Sequence, residues 1–286
     1  MVTSIIMNVI NITANCFLIH GFGPIPPLGV LGVTISTNSS KVLGLALIIY
    51  FFRKYLDVKL SWSYLKPFPK HTLFKILYLG LPSGCESLSY QISQMVIMRF
   101  VNLMGLVVIT TKIYAYIIAN CTYVYTQSLA MATQIIVGFL IGTGNLDAVS
   151  SRVWKTIRIG VLISGVLTFI LYLNSDFIYG IFTDNPEVLA LGRHIFLIEI
   201  FLEMGRAVNM VMVMSLQAAG DIKWPVVTGL ISMWLTATLG AYVFGIVLGW
   251  GLVGVWLAMC LDECLRAAVF IYRWHSGGWR KIKLIE

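Results

Sequence analysis

Four acidic side chains lie in stretches otherwise too apolar for water: Glu86, Glu203, Asp262 and Glu263. An ionisable group at mid-membrane depth is costly, so it faces a cavity, a partner or an ion path. Glu86 has no Lys or Arg within one turn on either side. An acid in that setting is suited to carrying a proton or a small cation. Glu203 is followed by Arg206, and Glu263 by Arg266, three residues on. Each of these is read either as part of the ion path or as an i,i+3 ion pair that fastens helices. The chemistry open to such a set is cation exchange. Bond-making catalysis is not expected, because none of His20, His71, His194 and His275 lies mid-span and no nucleophile elbow, phosphate loop or zinc spacing is present. The chain is therefore read as no enzyme, with no cofactor and no metal site.

A second group of residues suits ligand contact. Tyr90 and Gln94 follow Glu86 at steps of four, with Gln91 beside them. Tyr116, Asn120, Tyr123 and Gln127 form another stripe at steps of four, three and four. Arg206 and Asn209 share a third, and Lys41 is a mid-span cation after the polar run Ser36–Ser40. Aromatic faces attract organic cations, and amides orient a ligand without a buried charge. The same stripes can bond neighbouring helices to one another. We read them as a cavity wall. Arg99 and Lys112 lie near the outer ends of their spans and are expected to snorkel to the interface. The five cysteines all lie inside spans, and Cys260 and Cys264, on one helix face, read as packing residues.

The elements that hold these residues follow from composition. The chain has 286 residues, 58% hydrophobic and 11% charged, with mean hydropathy +0.87. Soluble proteins carry roughly 25% charged residues. Apolar blocks recur that are long enough to cross a hydrocarbon core of about 30 Å as helices. Eight are expected, at about 2–20, 30–52, 73–103, 113–141, 156–173, 194–219, 225–247 and 252–273. The fold class is thus an all-α membrane protein with eight transmembrane helices. The first block lacks a basic n-region and is broken by Asn8, Asn11 and Asn15, so it is not a cleavable signal peptide.

Loop charges alternate. Residues 53–71, 142–158 and the tail from Arg273 are basic, whereas 20–29 has no Lys or Arg and 174–190 carries Asp176, Asp184 and Glu187. The positive-inside rule places both termini in the cytoplasm of a cell whose inner membrane the chain spans. The net charge of +8 flanks spans instead of forming one patch, so no nucleic-acid partner is expected. Residues 53–72, with Pro67 and Pro69, read as a cytoplasmic linker between bundles.

An internal repeat refines this division. Leu28-Gly29-Val30-Leu31-Gly32-Val33 matches Trp250-Gly251-Leu252-Val253-Gly254-Val255. Each copy follows a Gly-rich stretch, leads into about twenty apolar residues, and ends on a basic aromatic cluster, Tyr50–Lys54 and Phe270–Trp274. Span two thus corresponds to span eight, a period of six spans. Residues 1–52 are then the last two helices of a first lobe and 73–273 a complete six-helix lobe, with 274–286 a basic cytoplasmic tail. Four earlier helices are expected to be missing, and the expected partners of this chain are those helices, the bilayer, H⁺ or Na⁺, and small organic cations.

Several motifs resemble one family in order and spacing. Gly80-Leu81-Pro82-Ser83-Gly84-Cys85-Glu86 resembles the opening of the seventh helix of multidrug and toxic compound extrusion (MATE) transporters. Gln134-Ile135-Ile136-Val137-Gly138 with Gly142-Thr143-Gly144 is similar to the end of their eighth. Glu203-Met204-Gly205-Arg206-Ala207-Val208-Asn209, then Ala219-Gly220-Asp221 and Pro225, resembles the tenth and its turn. Gly251 to Trp256 with Asp262, Glu263 and Arg266 resembles the twelfth, and Asn11, Asn15, Gly29 and Gly32 fit the fifth and sixth. The resemblance implies two six-helix lobes, H⁺- or Na⁺-coupled antiport, and multidrug efflux of organic cations or amphiphiles. It also implies a coupling role for Glu86 on the seventh helix, and Glu203 lies near the place of a second acid on the tenth. A chain without helices one to four is not expected to transport alone. Two alternatives remain: a flippase of lipid-linked sugars in the same superfamily, and a non-transporting remnant. Four mid-span acids against Lys41, Arg206 and Arg266 favour organic cations.

Overall fold

The computed structural model describes residues 2–21, 26–55, 68 and 70–281. The expected linker, 53–72, falls mostly outside them. Every described element is a helix, and the chain divides into two compact units, Met1–Thr72 and Leu73–Glu286.

The first unit is a helix pair, α1 (Val2–His20) and α2 (Gly29–Tyr55). The two meet along a seam of small and polar side chains. Asn11 Nδ2 donates to Ser40 Oγ at 3.1 Å and to Ser36 Oγ at 3.3 Å, and Ser36 Oγ donates to the Asn11 carbonyl at 2.9 Å. Such bonds replace the hydrophobic drive that is absent between helices in lipid. Lys41 is exposed on α2.

The second unit holds α3 (Lys70–Asn102), α4 (Leu106–Gly142), α5 (Leu146–Leu173), the short α6 (Ser175–Gly180), α7 (Pro186–Ala218), α8 (Lys223–Val247) and α9 (Gly251–His275). A turn of 3₁₀ helix, Gly278–Lys281, follows. Local chemistry sets several starts. Asn145 Oδ1 accepts from the Ala148 amide at 3.1 Å to begin α5, and Asn185 Oδ1 accepts from the Glu187 amide at 2.9 Å with Pro186 in the first turn of α7. α7 is the axis of the unit and packs against α4, α5 and α9. Its interior is shared with two apolar clusters, one around Tyr179, Phe196, Leu252 and Trp256, the other around Val153, Met212, Phe270 and Trp274.

Among the described residues, eight long helices overlie the eight expected spans. Four of them, Gly29–Tyr55, Leu106–Gly142, Leu146–Leu173 and Lys223–Val247, are long and apolar enough to cross a membrane by length and composition. α3 runs unbroken through Pro82. α8 instead departs from α geometry, with wide π turns at Met233–Thr238 and Val243–Val247.

The sequence repeat has a structural counterpart. Gly29 and Gly251, which open α2 and α9, have φ of +51° and +58°, a region that costs L side chains energy. The preceding residue in each copy donates its amide backward, Leu28 to the Leu18 carbonyl at 3.0 Å and Trp250 to the Phe244 carbonyl at 3.1 Å. A Cβ added to the second glycine would stand 2.6 Å from the Leu18 carbonyl oxygen at Gly32 and 2.5 Å from that of Phe244 at Gly254. The same knuckle is built twice.

Candidate functional site

A cavity of about 310 Å³ opens inside the second unit. α3 supplies Tyr90, Gln91 and Gln94 to its wall, and α4 supplies Lys112, Tyr116, Asn120 and Tyr123. α7 adds Glu199 and Arg206, and α9 adds Trp256 and Met259. The helical steps noted in the sequence explain this convergence, since residues three and four apart share a face.

Beside the cavity lies a buried charge cluster from α7 and α9. Arg206 pairs with Glu203 one turn before it, and its guanidinium is 3.5 Å from Glu263 Oε1 and 4.0 Å from Glu199 Oε1. Arg266 pairs with Asp262 and lies 3.4 Å from Glu263 Oε1. Asn209 Nδ2 donates to Glu263 Oε2 at 2.6 Å, and Ser232 Oγ of α8 donates to Asp262 Oδ1 at 2.5 Å. The Trp256 indole donates to Glu199 Oε2 at 2.6 Å. Both ion pairs read from sequence are therefore present, and both extend across helices. Four carboxyl groups face two guanidinium groups, so the fully ionised cluster is anionic. Tyr90, Gln94 and Arg206 border both the cavity and a narrow crevice lined by Asp262, Glu263 and Arg266, and so connect the two.

Two buried acceptors in the cluster, Glu203 Oε2 and Asn209 Oδ1, have no hydrogen-bond partner. An unpaired buried acceptor is costly.

Several expected site residues are placed elsewhere. Glu86 does not line the cavity with Tyr90 and Gln94. Its carboxylate lies against α8, where a Cβ on Gly229 would stand 2.9 Å from Oε1. The bare backbone of Gly229 leaves room for that carboxylate. Gln127 is half-buried beyond the cavity end, and Asn209 is turned into the charge cluster. Lys41 belongs to the first unit. Lys112 was expected to snorkel, yet it is 9% exposed and faces the cavity. Its position four residues before Tyr116 carried that signal. Glu199, four residues before Glu203 on the same polar stripe of α7, and Trp256 also line the wall. Tyr123 has one face occupied, with the Arg206 guanidinium 5.6 Å from its ring centroid.

Comparison with known proteins gives consistent results. The chain is 36% identical over 279 residues to an uncharacterized transporter, YisQ, of Bacillus subtilis, covering 98% of this chain and 61% of that protein. It is 21% identical to a probable multidrug resistance protein, NorM, of Thermotoga maritima, covering 98% of this chain and 60% of that protein. The chain thus spans about three-fifths of the length of the curated relatives it matches. Its fold is similar to a MOP superfamily transporter from Pyrococcus furiosus, with a TM-score of 0.84 at 20% identity, over 98% of this chain and 63% of the other. It is equally similar to an outward-facing multidrug resistance MATE family transporter, with a TM-score of 0.85 at 20% identity and the same coverage. The family model described as MatE matches residues 82–243, more than half of the chain and nearly all of α3 to α8, and the chain belongs to the MatE family of membrane transporters.

Proposed function

We propose that this chain forms the second lobe, and the end of the first, of an efflux antiporter that exchanges H⁺ or Na⁺ for organic cations or related amphiphiles across the cell membrane. The eight long helices cross the bilayer with both chain ends in the cytoplasm. Tyr90, Tyr116 and Asn120 receive the organic ligand. Glu199, Glu203, Asp262 and Glu263 hold the coupling cation, and Glu86 acts from the α3–α8 contact.

The observation that carries this reading is the anionic cluster set directly behind an aromatic and amide wall. An organic cation in the cavity interacts with aromatic faces and with the excess carboxylate charge. A proton or Na⁺ on the cluster cancels that charge. Each ligand therefore weakens the other, which is the coupling that antiport requires. The names of the relatives NorM of Thermotoga maritima and a multidrug resistance MATE transporter point the same way.

The test is binding by the purified chain. Isothermal titration with tetraphenylphosphonium should give an affinity that falls when Na⁺ is added or the pH is lowered. A tetraphenylborate anion should bind more weakly. Tight binding that responds to neither ion overturns the coupling, and preference for the anion overturns the substrate class.

A further inference from the structure

A separate trough runs along the second unit between α5 and α7, with a volume of about 720 Å³. Leu162, Val166 and Phe169 of α5 wall it, and Met204 of α7 lies across from them. Its floor exists because Gly165 has no side chain; a Cβ there would lie 3.4 Å from Met204 Cγ and Sδ. Arg158 closes one end and is exposed. Arg158, Lys155 and Arg152 follow one another at three-residue steps on α5, and among the described residues none of the three makes an ion pair.

The dimensions and the charge select the occupant. α5 is long and apolar enough to cross a membrane. From Arg158 to Phe169 is eleven residues, about 16 Å at a helical rise of about 1.5 Å. That is close to half of a hydrocarbon core of about 30 Å, the depth of one leaflet. An apolar trough one leaflet deep, ending in a run of unpaired cations, matches one acyl chain below one negatively charged headgroup. We propose that this trough binds a single anionic phospholipid. Its acyl chain lies along Leu162, Val166 and Phe169, and its phosphate pairs with Arg158 and Lys155. The proposal rests on the chain's place in a membrane and is independent of what it transports.

The test uses the purified 286-residue chain in mild detergent. Phosphatidylglycerol and phosphatidylcholine with identical acyl chains are added at equal concentration, and bound lipid is counted by native mass spectrometry. One phosphatidylglycerol per chain should be retained in preference to phosphatidylcholine. Arg158→Gln should lower that preference about fivefold, the worth of one basic residue near an anionic surface. Gly165→Leu fills the trough and should remove bound lipid of both kinds. Gly165→Ala, which meets Met204 only at ordinary contact distance, should fold normally and reduce occupancy less. Equal retention of the two lipids by the unaltered chain overturns the proposal. So does undiminished binding by Gly165→Leu, or a matching loss of preference on Arg193→Gln near the start of α7.

Discussion

Trp256 on α9 donates its indole proton to Glu199 on α7 at 2.6 Å, and each residue is 3% exposed. The bond fixes one acid of the cavity wall from a neighbouring helix. Trp256→Phe keeps most of the ring and removes the donor. A buried carboxyl that loses such a partner costs about 1–3 kcal/mol. The variant should unfold at a lower temperature in detergent and bind tetraphenylphosphonium more weakly. An unaltered melting midpoint together with unaltered affinity would mean that the bond positions nothing.

Arg206 holds a larger share of the cluster, because Glu199, Glu203 and Glu263 all lie within 4.0 Å of its guanidinium. Removing one partner from a buried ion pair costs about 3–5 kcal/mol. Arg206→Met should therefore be poorly folded, and adding Glu203→Met should recover part of the loss. Thermal unfolding of the two single variants and the double variant measures this coupling. Strict additivity would mean that the pair is not coupled.

The repeated knuckle predicts a matched set. Gly254→Ala and Gly32→Ala each push a Cβ into a backbone carbonyl that cannot rotate away. Each should destabilise by about 1–3 kcal/mol, the range for overpacking. Gly80→Ala, with open space around it, should be close to neutral. Protein yield and melting temperature after parallel expression distinguish the three.

The repeat also shows what a sequence makes legible. Glycine pairs, apolar block lengths and polar steps of three and four are local properties, so the helices, the knuckles and most of the cavity wall could be read directly. Contacts between helices distant in sequence could not. Glu86 and Tyr90 are near neighbours along α3, but the Glu86 carboxylate lies against Gly229, a residue far along the chain. Lys112 differs for another reason. Its place near a span end predicts snorkelling, but its place on the Tyr116 stripe turns the side chain to the cavity.

Tyr116 and Tyr123 should differ in ligand binding. Tyr116 is 69% exposed in the open cavity, whereas Tyr123 already lies against Arg206. Tyr116→Ala should weaken tetraphenylphosphonium binding by a few-fold to about tenfold, since a cation over an aromatic face is worth roughly 0.5–2 kcal/mol. Tyr123→Ala should weaken it less and lower stability more. A titration of each variant, paired with its melting curve, gives the ranking, and the reverse order would place the ligand against α7.

Orientation can be read from two exposed positions near helix ends. Asp147 begins α5 and Asp184 precedes α7. With the native cysteines replaced, Asp184→Cys should react with an impermeant thiol reagent in intact cells, and Asp147→Cys should react only after the cells are opened. Labelling of Asp147→Cys in intact cells would reverse the proposed topology.

The wide turns of α8 have a consequence for how this sequence should align with its relatives. Each π turn at Met233–Thr238 and Val243–Val247 accommodates a residue that a plain α-helix would have to expel into a loop. A single-residue insertion or deletion can therefore be absorbed in mid-helix while Ser232 below and the Gly251 turn above keep their places. Homologues that wind this helix with fewer π turns should show their one-residue gaps inside it, where an aligner trained to put gaps in loops would misplace the register of everything between Met233 and Val247.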